Sequence, residues 1–186
     1  MKIFDKGLSQ TLCDELYNFA MSYIYASEVS RFGYPNPVVT TTNMSWPENV
    51  RDHSHIVIIY EVPLSLCGLI AEELLSLDII GQNDYVSGSI AVYTPGAYIP
   101  PHNDGKPGYD IKPITVYLNK EWSIQHGGLF HYKDEEAEEW KIITPERGLL
   151  VYNDKFEWHY TTPVLGNNLR VSLQMFLKSG EMSDVS

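Results

Sequence analysis

Ala91-Val92-Tyr93-Thr94-Pro95-Gly96, followed by Pro101-His102-Asn103-Asp104-Gly105 and Thr115-Val116-Tyr117-Leu118-Asn119, is the stretch whose reading decides the fold. In extended backbone successive side chains point to opposite faces, so residues two apart share one. The imidazole of His102 and the carboxylate of Asp104 then point the same way, which is half a metal site. His159, in Phe156-Glu157-Trp158-His159-Tyr160, is the candidate third ligand on a second extended segment. A His-x-Asp pair is a weak signal by itself, so its weight depends on the chain around it.

Working outward, a period of two begins near Tyr85 and persists in short runs separated by Gly, Pro, Asn or Asp. This predicts strands at about 86–94, 99–104, 112–119, 128–132, 138–143, 147–153, 157–162 and 168–177, with no helix among them. Eight antiparallel strands are what a double-stranded β-helix, a relative of the jelly roll, requires. On the third run Ile114, Val116 and Leu118 form one row, opposed by Thr115, Tyr117 and Asn119. On the last, Val171, Leu173, Met175 and Leu177 oppose Arg170, Ser172, Gln174 and Phe176. The aliphatic rows suit a packed outer layer, and the polar and aromatic rows suit a ligand cavity inside the barrel.

Upstream, the apolar period is helical. Ser9 is the expected N-cap of a helix to about Ala26 carrying Leu12, Leu16, Phe19, Ala20 and Tyr23, and Ser65 that of a helix to about Leu77. The second presents Leu66, Leu69, Ile70, Glu73, Leu74 and Leu77 on one largely apolar face. The fold class expected is mainly β with N-terminal helices: one domain over 1–186, with helical support over about 1–84, a β-helix core over about 85–178, and two helices on the outer face of the major sheet. Residues 27–55 read as irregular, with Val38 to Thr42 as a candidate strand. His53 and His55 alternate before Ile56-Val57-Ile58-Ile59-Tyr60 and read as polar residues ahead of a strand.

Composition narrows the functional classes. Thirteen Tyr, eleven Pro and thirteen Gly favour short strands and turns over a helical bundle. A formal net charge of −11, without a local Lys/Arg cluster, repels a phosphate backbone and argues against nucleic acid as a partner. No stretch approaches the roughly 20 apolar residues of a membrane span, and residues 1–7 lack the apolar run of a signal peptide, so a cytoplasmic protein with no membrane partner is expected. Cys13 and Cys67 show no metal or redox spacing and read as reduced thiols in or near the core. Asp134-Glu135-Glu136-Ala137-Glu138-Glu139 reads as a solvated hairpin turn, and Trp122 and Trp158 as packing residues. His126 and His131 lie outside the ligand pattern.

Arg170 falls on the inward row. A guanidinium cannot discharge by losing a proton, so burying it demands an anion. Asp154 or Glu157 would serve, but the planar fork is suited to a bound dicarboxylate. Two His and one carboxylate on one face of an octahedral ion leave positions open for cosubstrate and dioxygen, as in non-haem Fe(II) oxygenases.

These features together resemble the Fe(II)/2-oxoglutarate-dependent dioxygenases, and within them the prolyl hydroxylase branch. The resemblance covers about Val86 to Leu177. It rests on Tyr93-Thr94-Pro95-Gly96 before His102-Asn103-Asp104, on Thr115-Val116-Tyr117-Leu118-Asn119-Lys120-Glu121-Trp122, on Gly127-Gly128-Leu129, and on His159 followed by Arg170. It implies that His102, Asp104 and His159 hold Fe(II), and that Arg170 and Tyr117 bind the distal carboxylate of 2-oxoglutarate. Tyr93, Thr115 and Gln174 would complete the cosubstrate pocket, with Ser172 and Gln174 as donors behind it. Leu129, Leu149 and Val151 would form an apolar wall. O2 is the implied co-reactant, and ascorbate is an allowed reductant. The implied reaction is hydroxylation of an unactivated C–H bond, foremost in a prolyl residue of a peptide or protein. A free amino acid or other small metabolite is the alternative substrate, and a metal-binding or sugar-binding jelly roll without turnover the alternative class. Arg170 lies eleven residues after His159, farther than in many relatives, with the extra length assigned to the turn Leu165-Gly166-Asn167-Asn168. It is also Arg where collagen-type enzymes carry Lys, so a collagen-like substrate does not follow. The short segment from Gly105 to Lys112 offers little lid.

Overall fold

The alternating rows assemble into two antiparallel sheets that pack on one another. The computed structural model describes residues 1–30, 56–59, 62–105, 111–134 and 136–180. In chain order the elements are β1 (Lys2–Phe4), α1 (Gln10–Ser30), β2 (Ile56–Ile59), α2 (Leu64–Ser76), β3 (Tyr85–Tyr93), β4 (Ile99–His102) and β5 (Ile111–Tyr117). A 3-10 turn (Ile124–His126) then leads to β6 (Phe130–Asp134), β7 (Glu139–Ile143), β8 (Leu150–Tyr152), β9 (His159–Thr161) and β10 (Arg170–Lys178). The larger sheet runs β1-β8-β5-β10-β3-β2 and the smaller β4-β9-β6-β7. This is the double-stranded β-helix expected from the alternation.

The two rows of β10 part as expected up to Gln174, whereas Phe176, placed on the inward row by its spacing, is exposed near the strand's end. Val171, Leu173, Met175 and Leu177 are buried with Ile90, Val92, Ile114, Val116 and Leu118 against Leu12, Leu16 and Ala20 of α1 and Leu66, Ile70 and Leu74 of α2. Burying each such side chain stabilises the fold by roughly 1.5–3 kcal/mol, so this layer holds the larger sheet independently of any bound group. The opposite face meets the smaller sheet through Tyr117, Phe130, Tyr132, Ile143, Leu149 and Val151. The two helices are joined by Glu73, which accepts from Ser9 N–H at 2.6 Å and Ser9 Oγ at 2.5 Å.

Several expectations are revised. Ser9 does cap α1, accepting from Leu12 N–H at 3.3 Å, but α1 runs on to Ser30. Ser65 does not cap α2, because Pro63 holds the N-cap position and Ser65 lies inside the first turn. Leu69 is largely exposed, and the buried stripe of α2 is Leu66, Ile70 and Leu74. Cys13 is buried but Cys67, beside that stripe, is exposed. The strand expected at 128–132 begins instead at Phe130, because Gly127 and Gly128 adopt φ of 62° and 59°, outside strand geometry. The region expected to lack helix contains the 3-10 turn, closed by a capping box between Ser123 and His126. β1 was not anticipated and pairs with β8 at the sheet edge. The acidic run is the β6–β7 hairpin turn, where Asp134 accepts from the backbone of Glu136 and Ala137 at 3.1 Å each. Val38 to Thr42, His53, His55 and most of the segment from Gly105 to Lys112 lie outside the described residues. No helix among the described residues is long and apolar enough to cross a membrane.

Candidate metal and cosubstrate site

β4 and β9 are neighbours, and His102 and His159 are partners in their register. The two imidazoles lie with centroids 4.3 Å apart. β4 ends at His102, but the face shared by residues two apart carries past the strand end. Asp104 places Oδ1 3.6 Å from His102 Nε2 and Oδ2 3.3 Å from His159 Nε2. One ligand atom from each of the three residues lies within 4.8 Å of the others. An ion about 2 Å from each of three donors at right angles needs them about 3 Å apart, so a small inward adjustment completes a facial triad.

The protonation pattern also suits a cation. His102 Nδ1 lies 2.8 Å from Pro100 O and His159 Nδ1 lies 2.9 Å from Glu157 O. A carbonyl only accepts, so each proton sits on Nδ1 and each Nε2 lone pair is left for a metal. Burial, then the neighbouring His159, hold the His102 imidazole below its usual pKa and keep it neutral. Asn153 fixes the approach to His159: its Oδ1 accepts from Glu157 N–H at 2.8 Å and its Nδ2 donates to Glu157 O at 3.0 Å. Asn153 Nδ2 also lies 3.4 Å from His159 Nδ1, more distant than Glu157 O. Asn153 was missed in the sequence, where nothing marks a loop-clamping Asn, since its two shorter bonds are to backbone.

Arg170 opens β10 opposite Tyr93 of β3 and is 1% exposed. Its guanidinium carbon lies 4.5 Å from the Tyr93 ring centroid and 5.1 Å from that of Tyr117. Asp154 and Glu157 do not meet it. They face the Met1 ammonium, and Asp154 also faces Lys2 at 3.1 Å. Arg170 Nε and Nη1 and the Tyr117 hydroxyl are buried without a hydrogen-bond partner. Leaving such groups unpaired costs about 1–3 kcal/mol each, and more for charged groups. A buried cation beside a phenol has the donor chemistry that suits a carboxylate. Burial pushes the Tyr93 and Tyr117 hydroxyls up in pKa, partly offset by the Arg170 charge, so both stay protonated. Gly128 leaves the room: a Cβ there would lie 2.8 Å from Arg170 Cδ. The donor set thus fits both Fe(II) and the distal carboxylate of a dicarboxylate.

The remaining expected residues take other positions. Thr115 and Gln174 are cross-strand partners joined by a 2.8 Å hydrogen bond, and Gln174 Nε2 donates to Ser172 Oγ at 2.9 Å. They form a polar chain running to the cross-strand partner of Tyr117. His126 accepts from Ser123 N–H, and His131 stacks on Tyr160 with centroids 4.4 Å apart. Trp122 donates to Gly127 O at 2.9 Å as a packing residue, whereas Trp158 is about half exposed.

No protein-family profile matches the sequence, and no curated protein matches it. The fold does have solved counterparts. A prolyl-4-hydroxylase from Pseudomonas putida matches with a TM-score of 0.66 and 20% identity, over 96% of this chain and 91% of that one. A prolyl hydroxylase from Trichoplax adhaerens, in complex with a hypoxia inducible factor oxygen degradation domain peptide fragment, matches with a TM-score of 0.67 and 16% identity over 95% and 82%. HygX from Streptomyces hygroscopicus, with nickel and 2-oxoglutarate bound, matches with a TM-score of 0.59 and 11% identity over 96% and 82%. The fold is therefore that of the Fe(II)/2-oxoglutarate dioxygenases. Proteins of the prolyl hydroxylase branch are among its structural neighbours.

Proposed function

We propose that this protein is an Fe(II)- and 2-oxoglutarate-dependent dioxygenase that hydroxylates an unactivated C–H bond, with a prolyl residue of a peptide or protein as substrate. The observation that carries the reading is the coexistence of the His102/Asp104/His159 cluster with the unpaired buried Arg170 and Tyr117 in one barrel. A metal-binding jelly roll without turnover has no use for the second feature. The prolyl assignment draws support from the peptide-bound neighbour, which is a relative in fold.

Each residue has a distinct task. His102 and His159 present Nε2 lone pairs, with their tautomers fixed by Pro100 O and Glu157 O, and Asp104 offsets part of the ion's charge. Arg170 and Tyr117 hold the far carboxylate of 2-oxoglutarate and so orient its keto-acid end toward the metal cluster. Phe130 lies 5.3 Å from His159 centroid to centroid, and with the buried Leu149 and Val151 it limits water around the cluster. When bound, Fe(II) and 2-oxoglutarate supply the oxidising power: one atom of O2 ends in succinate as carbon dioxide leaves, and the other is inserted into the substrate C–H bond.

The test is succinate formation by the Fe(II)-loaded protein with 2-oxoglutarate, screened for stimulation by proline-bearing peptides and by free amino acids. Stimulation by peptides with a mass gain of one oxygen on proline is expected. Stimulation by small molecules alone would replace the prolyl assignment with the metabolite reading.

A further inference from the structure

We propose that Asn119 is the positioning residue of the 2-oxoglutarate site, holding Arg170 in place through the backbone on either side of it. The inference rests on the cosubstrate reading of Arg170. Backbone pairing between β5 and β10 ends where Leu118 N–H donates to Val171 O at 3.0 Å. One residue further, the Asn119 carboxamide takes over the work of a strand. Its Oδ1 accepts from Val171 N–H at 2.7 Å, and its Nδ2 donates to Leu169 O at 2.8 Å. These two contacts bracket Arg170.

Arg170 needs this bracing. Within the protein two of the three guanidinium nitrogens, Nε and Nη1, have no hydrogen-bond partner, and the contacts with Tyr93 and Tyr117 fix a guanidinium less tightly than a full set of hydrogen bonds would. The head group is therefore placed largely by its own backbone, and a shift there moves the fork away from the carboxylate it must meet in two-pronged geometry. Asn119 is 7% exposed, so its two bonds form out of water and their loss leaves a buried donor and acceptor unpaired. The side chain is suited to the position. A carboxamide sets an N–H donor beside a C=O acceptor as a peptide edge does, whereas Asp lacks the donor and Gln adds a methylene.

Two variants and a control test this. Asn119→Ala removes both bonds, and Asn119→Leu removes them while filling the space. Val116→Ala, on the helix-facing row of the same β5 strand, destabilises the sheet without touching the residues beside Arg170. Each Mn(II)-loaded protein is titrated calorimetrically with 2-oxoglutarate, alongside Mn(II) titration of the metal-free protein and thermal melting. Both Asn119 variants are expected to raise the 2-oxoglutarate Kd about 5- to 30-fold with Mn(II) affinity unchanged, while Val116→Ala melts lower and binds 2-oxoglutarate as the parent does. Should one Asn119 variant fail to fold, the other decides. Variants that melt lower but keep the parent's 2-oxoglutarate affinity would make Asn119 a structural residue only and overturn the inference. A parent that does not bind 2-oxoglutarate would overturn the cosubstrate reading itself, a different and separately visible result.

Discussion

His102 and His159 are cross-strand partners whose rings are held by the same device: each Nδ1–H donates to the carbonyl two residues earlier on its own segment, Pro100 O at 2.8 Å and Glu157 O at 2.9 Å. Both Nε2 atoms are thereby aimed at the carboxylate of Asp104. Main-chain carbonyls thus orient both rings of the candidate metal cluster.

Removing the carboxylate separates binding from folding. Asp104→Ala leaves only the two imidazoles, and Fe(II) or Mn(II) affinity should fall on the order of 100-fold or more, since disturbing even outer partners of metal ligands costs 10- to 100-fold. Circular dichroism of the metal-free variant should match the parent, because the outer layer of apolar side chains holds the sheet. Retained metal affinity would place the ion elsewhere, and unfolding of the metal-free variant would show that Asp104 is structural.

Arg170 should cost the empty protein stability and give the loaded protein affinity. Arg170→Ala is expected to weaken 2-oxoglutarate binding by about 2–5 kcal/mol, or roughly 30- to several-thousand-fold, and Tyr117→Phe by about 1.5–3 kcal/mol. The two losses should fall short of additive, since both groups hold one anion. Arg170→Met, which replaces an unpaired buried cation with an apolar chain, should melt no lower than the parent without cosubstrate. Anaerobic titration and melting of each variant check both claims, and unchanged 2-oxoglutarate affinity in Arg170→Ala would remove the anion site.

The adjacent glycines before β6 should fail differently. At Gly127 a Cβ would meet Pro163 O at 2.1 Å, so Gly127→Ala strikes backbone and should mainly destabilise the fold. At Gly128 the nearest atom is Arg170 Cδ at 2.8 Å. Gly128→Ala adds about 1–2 kcal/mol of left-handed strain and displaces the guanidinium, so it should also weaken 2-oxoglutarate binding while leaving metal affinity intact. Equal cosubstrate affinity in both variants would refute the distinction.

Cys13 predicts an alkaline loss of stability. Burial raises its thiol from 9.0 to about 11 in the folded chain. Between those values the unfolded chain has lost the proton and the folded chain has not, so stability falls as pH rises through that window, by on the order of 1–2 kcal/mol. Urea unfolding on either side of the window, compared with Cys13→Ala, isolates this contribution from the tyrosines. An identical pH slope in the variant would contradict it.

The sequence by itself determined the sheet rows, the presence of the two amphipathic helices and the candidate His102/Asp104 pair, because these depend on periodicity, while the buried stripe of α2 excluded Leu69. A strand turns its residues alternately, so Val171, Leu173, Met175 and Leu177 could be assigned to one layer and Arg170, Ser172 and Gln174 to the other from spacing alone. The His102/Asp104 pair was legible for the same reason, even though Asp104 stands past the end of β4. Glycine conformations were not legible. Whether Gly127 and Gly128 open a strand or adopt φ near +60° depends on Pro163 O and the Arg170 side chain, which arrive from residues more than thirty positions later.

Only the tertiary structure decided which buried groups lack partners. Asp154 and Glu157 were the protein acids the sequence offered to Arg170, but packing turns them toward Met1 and Lys2 and leaves Arg170 Nε and Nη1 and the Tyr117 hydroxyl without a hydrogen-bond partner. Asn119 and Asn153 likewise acquire their meaning from backbone atoms they meet after folding: Leu169 and Val171 in one case, Glu157 in the other. A hydrogen bond from a side chain to backbone leaves no mark on the partner's identity, since every residue carries a C=O and nearly every one an N–H. The side chains proposed to bind an ion or anion follow from residue type and period, while those that hold them in place follow from where the chain brings main-chain atoms together.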